Sequence, residues 1–343
     1  VSSAPAFQVY DRAVTDEDKN MRICVVGAGA IGGLVASGFA RAGHQVSLVA
    51  RGAHLEALRE KGLALLSGEK REVFAVRVSD DPADLGAQDV VFICLKTHSI
   101  AAMLPRTKTL LLPDTVVVPA INGLPWWYFY REGGRLDGQA LACLDPGGSM
   151  FRALDPARIL GCVVHAAAEV PAPGTVRHTA GRSFLIGEPD RSKSARAERL
   201  VAAMNAAGFE AKHAQDIRVE IWTKLIGNVS YNPVAALALA EMNDIHGNEA
   251  LLDLIRGMME EAMRVAEAYG VRIPITLDER IAVAKRLAGA RISMHQDVEK
   301  RRPLEIDAIV GAVVELARKA AIATPMIDAV WALISERAKH LDR

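Results

Sequence analysis

The sequence predicts an α/β protein, with an N-terminal half built on a parallel sheet covered by helices and a C-terminal half that is all α. Three observations predict it. A β-rich run, Arg22-Ile23-Cys24-Val25-Val26, ends in glycines and opens into a helical pattern. Further β-like runs at 74–78, 90–95 and 115–118 alternate with helical or loop segments, and from about Asp216 onwards the β character disappears. A length of 343 residues exceeds one compact domain. The expected division is a leader, 1–20, a first domain, 21–214, and a second, 215–343. The leader mixes Asp11, Asp16, Glu17 and Asp18 with Arg12 and Lys19 and has no apolar core, so a flexible segment is expected rather than a targeting peptide.

After the first strand, residues 31–42 read as a helix with closely spaced small residues, closed by Gly43. Gln45-Val46-Ser47-Leu48-Val49 is a second strand and 54–60 a short helix, which completes a βαβ unit of about 30 residues. Residues 159–187 show β runs broken by Pro171, Pro173, Gly174 and Gly181, predicting an antiparallel extension. A polar excursion at 188–196 precedes one more helix and a short strand. In the C-terminal half, Leu251, Leu252, Leu254, Ile255, Met258, Met259 and Met263 fill one broad helical face, a core stripe ending at Gly270. Thr276 with Glu279 fits a capping box, and Pro303 suits the first turn before Ile306, Ile309, Val310 and Val313.

Composition narrows the function classes. Basic and acidic side chains balance at 41 each, so no global field steers the molecule to nucleic acid or an anionic membrane. The charge-free stretches at 115–130 and 225–240 contain Asn and Pro and fall short of the roughly 20 apolar residues of a membrane span. Cys24, Cys94, Cys143 and Cys162 show no Cys-x-x-Cys spacing, so a reduced, cytoplasmic setting is expected and no metal site.

The turn Gly27-Ala28-Gly29-Ala30-Ile31-Gly32 carries the first chemistry. Its first glycine permits the tight turn, its second lets backbone approach a pyrophosphate, and its third allows close helix-on-strand packing. The helix N-terminus then faces the phosphates, making this half a Rossmann-type dinucleotide-binding domain. The second strand ends Val49-Ala50-Arg51, with a guanidinium where NAD sites place a carboxylate. A carboxylate would repel a 2′-phosphate and Arg51 can pair with it, so the expected cofactor is NADPH.

Lys224, Asn228 and Asn232 stand at i, i+4 and i+8, so one helical face carries a cation and two amides within an apolar segment. They belong to Trp222-Thr223-Lys224-Leu225-Ile226-Gly227-Asn228-Val229-Ser230-Tyr231-Asn232-Pro233, followed later by Ser293-Met294-His295-Gln296-Asp297 and Glu305-Ile306-Asp307. With the glycine turn, these segments resemble the ketopantoate reductase family from about Met21 to the C-terminus. The resemblance implies that Lys224 donates the proton to a ketone oxygen as hydride arrives, which fits the negative charge that builds there. It also implies that Asn228, Asn232 and Ser293 bind substrate. Glu305 would lie near the lysine and the cofactor, keeping Lys224 charged and oriented. Lys96 and Asn122 match residues at the nicotinamide end, both at predicted carboxyl ends of strands, and Ala167 matches a backbone contact. The implied partner is a small 2-oxo acid, and a homodimer is left open. His98 and His165 read as structural, since the lysine already supplies the acid.

Two departures bear on the substrate. Asn122-Gly123 runs into Leu124-Pro125-Trp126-Trp127-Tyr128-Phe129-Tyr130, bulkier than in the better-known pantothenate-pathway members, and the family's further substrate asparagine falls here at Met242, beside Asn243. The leading expectation is reduction of 2-dehydropantoate to pantoate. The alternatives are a reductase or dehydrogenase for another 2-oxo or 2-hydroxy acid, of the mandelate type, and a silent NADPH-binding sensor, which would have no need of Lys224.

Overall fold

The structure is a computed structural model that describes residues 20–286 and 292–341. The predicted leader therefore lies outside the described residues, apart from Asn20. The N-terminal half runs β1 (Arg22–Val26), α1 (Ala30–Arg41), β2 (Gln45–Val49), α2 (Gly52–Lys61), β3 (Leu63–Ser67), β4 (Lys70–Phe74), β5 (Arg77–Ser79) and β6 (Gln88–Ile93). It continues through α3 (Ile100–Met103), β7 (Leu111–Pro119), α4 (Ser149–Ala153), β8 (Gly161–Ala172), β9 (Thr175–Gly187), α5 (Ala195–Ala206) and β10 (Glu210–His213). Helices follow: α6 (Ile217–Ala238), α7 (Met242–His246), α8 (Glu249–Ala268), α9 (Leu277–Arg286), α10 (Ser293–Glu299), α11 (Ala312–Ala320) and α12 (Pro325–Lys339).

The first sheet is parallel throughout, in the order β5-β2-β1-β6-β7. Its strands read as unbroken apolar runs because both faces are covered. Ile23, Val25, Val90, Phe92, Val116 and Val118 pack with α1, α5 and a second sheet, whereas Cys24, Val26, Val91, Ile93 and Val117 pack with α6 and α8. This is the two-residue period of a strand shared between two cores.

The second sheet has the order β10-β9-β3-β4, with β8 added antiparallel to β9 as the expected extension. The β3–β4 hairpin within it divides the single run expected at 74–78. Ser67 pairs with Lys70 across the turn, so β4 ends at Phe74 in the second sheet and β5 begins at Arg77 in the first.

α6 is fixed at its start, where the Asp216 side chain accepts from the Arg218 N–H at 2.9 Å. The buried Arg218 guanidinium donates to the carbonyls of Tyr128 at 2.9 Å, Tyr130 at 2.8 Å and Pro189. Trp222 Nε1 donates to the Tyr128 hydroxyl at 2.7 Å. Trp126, Trp127, Tyr128 and Phe129 are thus core between sheet and helices. Met258 and Met259 are buried in α8, and the capping box opens α9, with Glu279 N–H donating to Thr276 Oγ1 at 3.2 Å and Thr276 N–H to Glu279 Oε2 at 2.8 Å. The helix expected after Pro303 begins as a π-helical segment, Asp307–Gly311, before α11. No described helix is long and apolar enough to cross a membrane.

Candidate active site

The glycine turn joins β1 to α1. Gly27 has φ +104°, and a Cβ there would lie 2.8 Å from the Cys94 carbonyl oxygen. A Cβ at Gly32 would collide with the Gly27 carbonyl, so helix and turn touch backbone to backbone. Gly29, by contrast, faces open space and N-caps α1 with no side-chain cap and no acid in the first turn. The first N–H groups of α1 are therefore left for a ligand, and their positive end suits a pyrophosphate. Ala28 is buried, and Ala30 and Ile31 are half-buried. Arg51 follows β2 as the N-cap of α2, with its side chain exposed, and the residues of the turn fit a nicotinamide dinucleotide.

Lys224 projects from α6 towards the carboxyl ends of the sheet strands. Its Nζ donates to Asn122 Oδ1 at 2.9 Å and to the Val164 carbonyl of β8 at 2.7 Å. A lysine only donates, so the Asn122 amide must present its oxygen here and its NH₂ elsewhere. Burial pushes Lys224 down to about 8, with Arg280 acting in the same direction and Cys162 and Glu305 against it. Beside it, a small cavity is lined by Asn228, Ile121, Trp127 and Cys162. Asn228 is half-buried and Asn232, one turn on, is buried, so the predicted stripe lies along one buried helix. His165 is pushed down to about 4 by burial, Lys224 and Arg280, which leaves it neutral at pH 7 and no acid.

Glu305 stands against a second lysine. Its carboxylate accepts from Lys96 Nζ at 2.9 Å and from the Thr97 N–H at 3.0 Å, and it has no hydrogen bond to Lys224. It supports the charge of Lys224 only through its field. Lys96, just past β6, is also held by Asp297 Oδ2 at 2.8 Å. Burial opposes its charge, and Glu305 and Asp297 outweigh that and raise Lys96 above the ordinary lysine range. Lys96 thus holds both acids by direct contact, while Lys224 has the field of Glu305 alone.

Ser293 is exposed at the start of α10, four residues before Asp297 and hence on its face of the helix. Ala167 lies in β8 opposite Ala180, three residues beyond the carbonyl that holds Lys224. In the sequence Asp297 stands out only as part of its motif, and Arg280 carries no signal, being a single arginine on a polar helix. Its guanidinium lies against Gly227 of α6.

A glycine turn on a parallel sheet, joined to a half-buried lysine from a helical half, is the layout of a Rossmann-type oxidoreductase. Models of the ketopantoate reductase PanE/ApbA family match residues 23–132 and those of its C-terminal region match 216–338. A 2-dehydropantoate 2-reductase of Mesorhizobium japonicum is 45% identical over 93% of this chain and 98% of its own. A candidate ketopantoate reductase from Ralstonia solanacearum MolK2 superposes with TM-score 0.89 at 37% identity, covering 94% of this chain and 99% of that one. D-mandelate dehydrogenase, solved with NADH and anilino(oxo)acetate, shares the fold at TM-score 0.82 and 21% identity, over 94% of this chain and 100% of its own. The chain belongs to the ketopantoate reductase family.

Proposed function

We propose that this chain reduces 2-dehydropantoate to pantoate with NADPH, using Lys224 as the proton donor. One observation carries the mechanism: two of the three Lys224 ammonium protons are held by Asn122 and Val164, which leaves the third for a substrate oxygen. When bound, the dihydronicotinamide supplies the hydride. Lys224 stabilises the charge that develops on the carbonyl oxygen and then discharges it by giving up its proton. A value near 8 suits this task, since the group is mostly protonated at neutral pH yet gives up its proton readily. Asn228, Asn232 and Ser293 bind substrate, while Lys96, Asn122, Ala167 and Glu305 border the nicotinamide end. The glycine turn and Arg51 hold the two phosphate regions, and Arg51 supports NADPH over NADH.

The substrate assignment is supported by the 45% identity to a 2-dehydropantoate 2-reductase. A second reading, a 2-oxo acid of the mandelate type, is favoured by Trp127, whose ring lines the cavity beside Lys224. NADPH oxidation measured with 2-dehydropantoate, phenylglyoxylate and branched 2-oxo acids separates them. The proposal expects 2-dehydropantoate to give the highest kcat/KM, and negligible turnover of it would overturn the assignment. A homodimer and a cytoplasmic setting belong to the same reading, and light scattering in solution tests the former.

A further inference from the structure

Besides Lys224, a second cation near this cleft has no counter-ion among the described residues. Arg280, in the first half of α9, lays its guanidinium on α6, so that a Cβ at Gly227 would collide with Nη2 and lie 2.5 Å from Cζ and 2.8 Å from Nε. Gly227 is three residues after Lys224 and four before Tyr231, on the helix face that also carries Asn228. Its Nε is buried and meets no acceptor, and no described carboxylate pairs with the guanidinium. Lys224, His165 and Tyr231, all shifted chiefly by burial, also feel its charge, which agrees with its contact one turn from Lys224. The remaining cation there, Lys96, is already matched by Asp297 and Glu305.

A 2-oxo acid presents two different demands. Its ketone oxygen needs a proton donor whose charge can be given up, whereas its carboxylate needs a charge that persists throughout. Lysine meets the first, and a guanidinium, planar and always protonated, meets the second with two parallel N–H bonds. We propose that Arg280 anchors the substrate carboxylate, forking onto both its oxygens from α9 while Lys224 addresses the ketone oxygen. Gly227 belongs to this device: glycine is unfavourable inside a helix, and here the missing Cβ is what lets the guanidinium lie against it. This inference rests on the 2-oxo acid reading for its substrate class.

The test uses Arg280→Gln and Gly227→Ala in the full-length protein. Calorimetry with oxamate, a 2-oxo acid mimic that is not reduced, reads anchoring without turnover. Arg280→Gln should weaken oxamate and raise the KM for the 2-oxo acid by about 10²- to 10³-fold, leave the KM for NADPH unchanged, and erase the preference for the acid over its methyl ester. Gly227→Ala keeps every charge and improves the helix, yet it displaces the guanidinium, so it should raise the same KM with no loss of thermal stability. Unchanged oxamate affinity and acid-over-ester preference in Arg280→Gln would overturn the anchor, as would a wild type that binds no oxamate. Oxamate binding lost on Arg280→Gln in a protein that turns over no 2-oxo acid would instead refute the reductase reading and leave the anchor standing.

Discussion

An ammonium buried beneath a sheet edge is costly unless oxygens surround it, and at Lys224 only two do. On the proposed mechanism, that burial is what suits the group to give up a proton near neutral pH. Glu305 lends its negative field from beside Lys96, so Glu305→Gln should lower Lys224 further and move the basic limb of the reduction profile below that of wild type. An unmoved limb, read from kcat/KM against pH, would show that the field does not reach the lysine. Arg51, exposed after β2, should discriminate cofactors and not substrates. Arg51→Ala is expected to raise the KM for NADPH by about 10- to 10²-fold and to leave NADH little changed; equal effects on both would remove the 2′-phosphate assignment. Residues of this kind were legible because their signals are local: a glycine spacing, the last residue of a strand, a lysine and two amides four apart. The Lys96 contacts with Asp297 and Glu305 join residues 201 and 209 positions apart, a distance over which one sequence shows no pairing.

At the scale of elements, α6 connects the site to the rest of the fold. Its start is locked by Arg218, whose guanidinium serves the carbonyls of Tyr128, Tyr130 and Pro189 from a site 1% exposed. Arg218→Ala would strip these buried acceptors of their donor, each costing about 1 to 3 kcal/mol. A fall in unfolding free energy of about 3 kcal/mol or more is expected by chemical denaturation, and a loss under 1 kcal/mol would mean that water replaces the guanidinium. The parallel sheet, the β8–β9 extension and the helical run from 216 were legible from hydrophobic period and turn residues. The β3–β4 hairpin was not: β4 reads Lys-Arg-Glu-Val-Phe, too polar to announce a strand, and its partner β3 follows a helix that masks it. The aromatic run after Asn122 is conspicuous for its bulk, but whether it packs or faces a ligand depends on α6, whose Trp222 meets Tyr128 from 94 residues away.

For the molecule as a whole, the sheet half supplies the glycine turn, Lys96 and Asn122, and the helical half supplies Lys224, Asp297, Glu305 and Arg280. One apolar core runs from the inner face of the sheet into α6 and α8. We keep the division at 214 and 215 as a proposal, supported by the Asp216 cap that starts α6 and by the family match from residue 216. On the proposed mechanism hydride arrives from a cofactor on one half and the proton from the other, which makes the protonation state of Lys224 the central claim. The most direct test is the pH dependence of kcat/KM for 2-oxo acid reduction, because reduction needs the lysine charged. A plateau below about pH 8 and a tenfold fall per unit above it are expected. In Lys224→Ala that limb should be absent and turnover about 10²- to 10⁴-fold lower. A wild-type profile flat to pH 10, or a Lys224→Ala enzyme that keeps the limb and the rate, would contradict it.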